Sequence, residues 1–294
     1  MKKIKLNPYV AKVKGATNYA LFDLLNGKFY TITTEGDVEE LKKSLLELGL
    51  AFETEGTVPT KIEIDLTLEK STIRLRELQV RINGRSENNC RQRYKENKKR
   101  RFMNDSLLQL LEKELKFIPL KKLRIEAEID ESERIRLILE KLPFEGVELF
   151  VENGVSRVNG EEYRKICQNK NTPLTIMTDG ERNISDLYID IYDFFYNRHF
   201  NPCLGQQLAI DCGGEIKICL WAKKVFGTLG INNLRDMIIS GVFDEYWELH
   251  KDKINVCQNC ELKYVCGDCR VTEKGTWSMT EKPDFCKYNP FIGK

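Results

Sequence analysis

Four cysteines fall within thirteen residues near the end of the chain, in the segment CQNCELKYVCGDC (257–269). The spacing CxxC-x5-CxxC is the kind of loop geometry that points several thiolates at one metal ion or cluster. A lone buried cysteine is more often a small hydrophobic residue, which does not explain four at this spacing. The segment therefore predicts a metal site built from thiolates.

The remaining composition limits what that metal is. Eight of the ten cysteines follow residue 200, whereas Cys90 and Cys167 stand alone upstream. With only two histidines, His199 and His250, the ligands would be mostly thiolates, which select zinc or iron–sulfur clusters. The opening MKKIKLNPYVAKVKG has no apolar run of signal-peptide length, so we expect a cytoplasmic protein with reduced or metal-bound thiols.

Charge and hydropathy exclude two classes of partner. The 47 basic residues nearly cancel the 45 acidic ones, so no global charge directs the chain to nucleic acid. No stretch approaches about eighteen consecutive apolar residues, so we expect no membrane span.

The cysteines upstream of 257–269 sit on a predicted hairpin. Cys203 is followed after ten residues by Gly214 and after four more by Cys219. Between them LAIDCGGEIKIC predicts two strands that turn at Gly213-Gly214, which would bring Cys203 and Cys219 near each other. Cys286 follows after a gap.

This pattern of C-x10-G-x4-C, CxxC-x5-CxxC and a final cysteine, with the flanking KVFGTL and CGDCR, resembles the SPASM domain of radical S-adenosylmethionine peptide-modifying enzymes over about residues 200–288. One departure is the pair Gly267-Asp268, where many members have three residues. The resemblance implies two auxiliary 4Fe–4S clusters. One would be held by Cys257, Cys260, Cys266 and Cys286, and the other by Cys203, Cys219 and Cys269.

The resemblance leaves the fourth ligand of the second cluster open. Asn197 stands about where some members place a further cysteine, and Cys212 is a spare thiol that is one alternative. An open position for a substrate group is the other.

The same family uses a CxxxCxxC loop to bind the cluster that cleaves S-adenosylmethionine, and this chain has no such motif. Cys90 follows the strand-like IRLRELQVRI, but Tyr94 and Asn97 occupy the other two spacings. One thiolate cannot hold a cluster that needs three, so the resemblance implies a degenerate radical-SAM fold without its radical cluster.

Residues 61–200 alternate between strand-like and helix-like segments. IRLRELQVRI, LRIEAEI, GVELFVE and PLTIMTD predict strands, with helical patterns around 105–116, 131–141 and 161–168. This alternation is typical of βα units on a mostly parallel sheet, which we expect to be a partial barrel. No phosphate-binding glycine loop opens any of these helices. The basic run NNCRQRYKENKKRR (88–101) predicts a solvated helix face or a contact to an anionic partner.

Residues 1–60 predict a small winged-helix-like α+β domain that ends near Pro59. Apolar and polar residues alternate on both sides of Asn26-Gly27, which indicates a β-hairpin. A helix follows, with Val38, Leu41, Leu45 and Leu48 on one face and Gly49 at its end. The alternative is a purely structural cap.

The N-terminal segment also resembles the peptide-recognition elements of ribosomal-peptide (RiPP) maturation systems. That resemblance implies a leader peptide added as a strand to an exposed sheet edge, with Tyr19, Leu21 and Phe22 lining or supporting the groove.

The fold class is therefore α+β or α/β, in three parts: residues 1–60, a βα domain over 61–200, and a cysteine-rich SPASM domain over 201–294. The whole is most similar to SPASM peptide maturases of the grasp-with-spasm type, which implies a precursor peptide and an ATP-grasp ligase as partners. No catalytic residue is assigned, and an accessory role to the ligase is open. The alternative is a zinc-stabilised peptide-binding or scaffold module without a redox role.

Overall fold

The computed structural model describes residues 3–33, 37–57, 75–82, 103–127, 132–141, 144–151, 174–178, 190–267, 270, 279–283 and 286–293. Several sequence predictions lie outside these residues: Cys90, Cys167, Cys269, the basic run 88–101, the helical pattern 161–168 and the boundary at Pro59. The described part is a mixed α/β protein. None of its helices combines the length and apolarity that a bilayer crossing needs.

The N-terminal part contains five strands and one helix among its described residues. They are β1 (Lys3–Leu6), β2 (Val10–Lys14), β3 (Asn18–Asp23), β4 (Lys28–Thr33), α1 (Val38–Glu47) and β5 (Ala51–Thr54). β2, β3 and β4 form an antiparallel sheet in that order, and β1 pairs with β5. The predicted hairpin is confirmed, because β3 and β4 pair from Asp23–Lys28 outward and Gly27 takes the φ of +67° that the turn requires.

The predicted helix is also confirmed, with both of its ends. The Asp37 carboxylate accepts hydrogen bonds from the Glu39 and Glu40 amides, and Gly49 has a φ of +68° just past the last turn. Within the helix only Leu45 packs against a buried cluster, whereas Val38 is 61% exposed. The helix α1 therefore contributes few side chains to the buried core of the N-terminal part.

The remaining elements run along the chain as follows: β6 (Leu75–Arg81), α2 (Asp105–Leu115), β7 (Leu120–Ala127), α3 (Ser132–Lys141), β8 (Gly146–Val151), β9 (Leu174–Thr178), α4 (Ile191–Tyr196), β10 (Gln207–Ile210), β11 (Glu215–Lys217), β12 (Gly227–Thr228), α5 (Leu234–Ile239) and α6 (Asp244–Trp247). Short 3-10 turns follow at Lys251–Lys253 and Cys257–Asn259.

One seven-stranded sheet joins the central region to the cysteine-rich region, in the order β12-β11-β10-β6-β7-β8-β9. β6, β7, β8 and β9 are parallel, as the alternation of strands and helices predicted. β10 pairs parallel to β6, and β11 and β12 continue the sheet antiparallel. Strands on both sides of residue 200 thus belong to one sheet.

The two faces of this sheet differ in chemistry. One face packs its apolar side chains, such as Leu78 and Ile125, into the main core with those of α2 and α3. The other carries charged side chains from β6 and β7. Arg81 Nη2 lies 3.2 Å from Glu126 Oε2, with both side chains 5% exposed, and Arg124 pairs with Glu77 at 3.2 Å. Burying charge is costly unless it is paired, and these side chains are paired across the strands.

The N-terminal sheet does not bury its apolar face by itself. Phe22 and Val13 share a core with Phe194 and Phe195 of α4 and with Val265 of the cysteine-rich loop. The Phe22 and Phe194 ring centroids are 5.2 Å apart. Residues 10–24 therefore depend on distant parts of the chain for their packing.

Candidate metal centre

The loop that carries Cys257, Cys260 and Cys266 is a series of tight backbone turns. The Cys260 amide donates to the Cys257 carbonyl at 3.0 Å, and the Cys266 amide donates to the Leu262 carbonyl at 2.9 Å. Val256, just before the loop, has a φ of +67°. A β-branched residue pays about 1–3 kcal/mol for such a conformation, which persists only where the surroundings enforce it.

Asp252 holds this loop in place through hydrogen bonds from two of its residues. Its carboxylate accepts from Lys263 Nζ at 2.6 Å and from the Tyr264 hydroxyl at 2.8 Å. Burial favours the protonated acid, but hydrogen bonds from His250, Lys263 and Tyr264 outweigh it and lower the pKa of Asp252. The carboxylate thus stays charged and fixes the residues between Cys260 and Cys266.

Cys257 and Cys266 lie close enough to Cys260 to change the pKa of its thiol. Burial raises the pKa of Cys260 to about 12, and the neighbouring Glu261, Cys266 and Cys257 add to the effect. The Leu262 amide opposes it by donating to the Cys260 sulfur. An amide that donates to sulfur favours the thiolate, which is the form that binds metal. Without a cation, burial therefore favours the protonated form of the Cys260 thiol.

The segment that contains Cys286 contacts the loop of Cys257, Cys260 and Cys266 through Tyr288. The Cys286 sulfur lies 3.9 Å from the Tyr288 carbonyl oxygen, and the Tyr288 hydroxyl donates a short hydrogen bond to the Glu261 carboxylate. Burial raises the pKa of Tyr288 to about 12, with further contributions from Glu261 and Cys260. The structure therefore brings the segment of Cys286 beside Cys260.

The turn between β2 and β3 fits into the cleft between these two segments. The Ala16 amide donates to the Asn259 carbonyl at 2.8 Å, and Thr17 Oγ1 donates to the Pro290 carbonyl at 2.9 Å. A Cβ at Gly15 would stand 2.6 Å from Glu261 Oε2, so only glycine permits this approach. The N-terminal sheet is thus attached to both cysteine segments.

The predicted hairpin of the second cysteine group is confirmed. β10 and β11 pair antiparallel, and Gly214 has a φ of +79° in the turn, where Asp211 accepts from the Gly213 and Glu215 amides. Cys203 and Cys219 flank the open end of this hairpin. Asn201 fixes the backbone at Cys203 by accepting from its amide at 2.9 Å.

Cys212 lies in the turn of the hairpin, at the end opposite Cys203 and Cys219. From the strand register, Cys212 and Cys219 are separated by about five residues along the hairpin, or roughly 15 Å. The structure thus does not bring Cys212 together with the other two cysteines. Cys269 lies outside the described residues.

Asn197, which stands about where some members of the resembled family have a cysteine, has a structural contact here. Its side-chain amide donates to the Tyr264 carbonyl at 2.8 Å and joins α4 to the cysteine-rich loop. The sequence did not predict this contact across 67 residues, nor those of Asp252 across 11 and 12 residues and of Glu261 across 27, because no local pattern marks such bonds.

The cysteines within the described ranges form no disulfide bond. In the same ranges no group of three or more histidine, cysteine, aspartate or glutamate side chains is placed so that it could hold a metal ion. The loop of Cys257, Cys260 and Cys266 holds neighbouring thiols, and its sulfur-directed amide suits a thiolate. The chemistry of these donors fits a soft metal or an iron–sulfur cluster.

The residues predicted to bind a peptide lie on β3. β3 is the middle strand of its sheet, so its backbone groups pair with β2 and β4. Leu21 and Phe22 are buried, and Tyr19 lies under the ammonium of Lys12 at 4.0 Å. In this position the three residues support the sheet, and within the part of the chain that the structure describes its edge strands are β2 and β4.

No protein-family model and no curated protein matches the chain. Similar solved structures include BtrN in an open conformation, which is 13% identical with a TM-score of 0.34 and matches over 63% of this chain and 92% of BtrN. They also include Streptococcus suis SuiB bound to S-adenosylmethionine, which is 10% identical with a TM-score of 0.35 and matches over 96% of this chain and 99% of SuiB. With TM-scores below 0.5, these likenesses carry no argument about function. We therefore base the proposals below on residues of this chain.

Proposed function

We propose that this protein takes part in the maturation of a ribosomally made peptide, binding the precursor through its leader and carrying two 4Fe–4S clusters. The observation that supports the proposal is that Cys257, Cys260 and Cys266 share one loop, which is held by backbone turns and by Asp252, while Tyr288, two residues after Cys286, bonds to Glu261 of that loop. Cys203, Cys219 and Cys269 complete the cysteine pattern of a SPASM domain. An ATP-grasp ligase is the proposed partner enzyme.

The residues support distinct roles within this proposal. Cys257, Cys260, Cys266 and Cys286 would hold one cluster, while Cys203, Cys219 and Cys269 would hold the other. Such clusters supply electron transfer or, at an open iron, a binding position. The N-terminal sheet would bind the precursor, because its free edges present backbone groups that an added strand satisfies.

The alternative function is a zinc-stabilised module, so identifying the bound metal distinguishes it from the proposed iron–sulfur protein. We expect anaerobically purified protein to be brown, with a broad absorbance near 400 nm and about eight irons per chain after reconstitution. Zinc thiolates are colourless at that wavelength. Stoichiometric zinc with neither iron nor absorbance would contradict the iron–sulfur proposal and favour the zinc module.

The missing CxxxCxxC motif gives a second expectation. Reconstituted protein reduced with dithionite should produce no 5′-deoxyadenosine from S-adenosylmethionine above the level of a protein-free control, because no loop supplies three thiolates to the cluster that binds this cofactor. This result would favour an accessory role to the ligase. Deoxyadenosine formed in proportion to protein would instead establish a radical mechanism.

A further inference from the structure

A groove runs beside β2 along the edge of the N-terminal sheet. It encloses about 400 Å³. One wall is β2 itself, and the opposite wall consists of Phe194 and Phe195 of α4 together with Tyr264 of the cysteine-rich loop. A groove with an aromatic wall and a strand edge has the shape that an extended chain requires.

Only every second residue of β2 forms backbone hydrogen bonds with β3, and the backbone groups of the others point into this groove. The Gly15 amide bonds to the Asn18 carbonyl, and the Leu24 amide bonds to the Tyr9 carbonyl. Because pairing alternates along an antiparallel ladder, Ala11 and Val13 exchange hydrogen bonds with β3. The amides and carbonyls of Lys12 and Lys14 therefore point away from β3, toward the groove.

The charged side chains around the groove are all basic among its described lining residues. They are Lys12, Lys14, Arg198 and Lys263. Lys263 is neutralised by Asp252 at 2.6 Å, whereas Lys12, Lys14 and Arg198 are exposed. The register places the Lys12 and Lys14 side chains on the sheet face of Leu21 and Tyr19, away from Phe194, whereas Arg198 belongs to the α4 side. Among the described residues that line the groove, no acidic side chain balances these three cations.

We propose that this groove binds an acidic, extended segment of a polypeptide, which joins the sheet as a fourth strand beside β2. The inference rests on the proposed function in one respect, that the segment belongs to the precursor peptide. The backbone of the segment pairs with Lys12 and Lys14, its carboxylates lie beside the Lys12 and Lys14 side chains on one face of the sheet, and Arg198 adds positive charge on the other. Alternate apolar side chains pack on Phe194 and Phe195.

A fluorescent seven-residue peptide that alternates glutamate with leucine tests this proposal by anisotropy with the full-length protein. We expect it to bind, and to bind more weakly as salt rises, because the exposed charges are screened. A peptide that alternates lysine with leucine should bind at least about tenfold more weakly, given repulsion from three cations. Equal binding of the two peptides, or preferential binding of a single-stranded oligonucleotide, would overturn the proposal.

Proline variants test whether the peptide binds by backbone pairing with β2 or only by electrostatic attraction to the basic side chains. Lys12→Pro removes an amide that faces the groove, and edge strands tolerate proline at such positions. It should weaken binding of the acidic peptide about tenfold or more. The matched control is Lys12→Ala, which removes the same ammonium but keeps the amide and should therefore bind more tightly than Lys12→Pro. Thr31→Pro, at an outward-facing position of the other edge strand, β4, should bind like the wild type. Binding unchanged by Lys12→Pro would exclude pairing along β2.

A charge-reversal variant, Lys14→Glu with Arg198→Glu, serves if the proline variant does not fold, as thermal unfolding will show. It should abolish the preference for the acidic peptide, and a retained preference would refute the inference. Iron analysis of the same protein distinguishes a failure of the groove proposal from a failure of the iron–sulfur proposal. Protein with clusters that ignores the acidic peptide overturns the groove alone, whereas protein that binds the peptide without any iron overturns the cluster assignment alone.

Discussion

Replacing Cys260 by alanine should remove about four of about eight irons and lower the stability of the C-terminal region. Cys260 lies at the centre of the loop, where the Leu262 amide donates to its sulfur and Cys257 and Cys266 stand close by. A cluster that loses one of four thiolates loses most of its affinity, and metal binding in such loops is coupled to their folding. Iron analysis and thermal unfolding of the reconstituted protein measure both effects.

Cys212→Ala is the matched control for this variant. Cys212 is a cysteine of the same region, but it lies in the hairpin turn, about five residues along the hairpin from Cys219. Its replacement should leave the iron content and the absorbance near 400 nm unchanged. Equal iron in the Cys260 variant and the wild type would refute the four-cysteine assignment, and iron loss in the Cys212 variant would make Cys212 a ligand.

Replacing Glu126 by leucine should lower the free energy of unfolding by about 3–5 kcal/mol. Its carboxylate lies 3.2 Å from the Arg81 guanidinium, and both side chains are 5% exposed. The substitution leaves the arginine charge buried without that partner carboxylate, and the contact of Arg81 with the Trp221 ring at 4.9 Å cannot replace it. Urea denaturation followed by circular dichroism gives the measurement.

The double replacement Arg81→Met with Glu126→Leu tests whether charge burial causes the loss. With both charges removed and apolar volume restored, stability should return close to that of the wild type, since well-packed apolar pairs often equal buried ion pairs. A double variant as unstable as Glu126→Leu alone would show that packing or another contact, rather than the uncompensated charge, dominates at this position.

Local sequence signals were enough to predict most elements of this fold. Asn26-Gly27 and Gly213-Gly214 mark turns because glycine adopts positive φ at little cost, and both hairpins are present. The end of α1 at Gly49 follows from the same property. The parallel strands β6 to β9 also follow from the pattern, since alternating strands and helices are typical of parallel neighbours joined by crossovers.

The candidate site was less predictable, because its contacts join residues far apart in the chain. Periodicity identified strands around Tyr19, Leu21 and Phe22, but it could not show that β3 is the middle strand with both edges paired. The resemblance left Cys212 as one alternative for a fourth cluster ligand, and no local pattern could show that the register places it at the other end of the hairpin from Cys219. The shared core of Phe22 and Phe194 likewise has no local sequence signal.

The attachment of the β2–β3 turn has a consequence for synthesis on the ribosome. Thr17 bonds to the Pro290 carbonyl, 273 residues later in the chain, and Ala16 bonds to Asn259. Contacts of such sequence separation form late, because a long loop must close first. The strand β2 emerges early, yet its groove lacks the Tyr264 wall until the cysteine-rich loop has also emerged. A nascent chain that stops short of residue 264 therefore lacks part of the groove, and the acidic segment proposed above would bind only after the cysteine-rich loop has emerged.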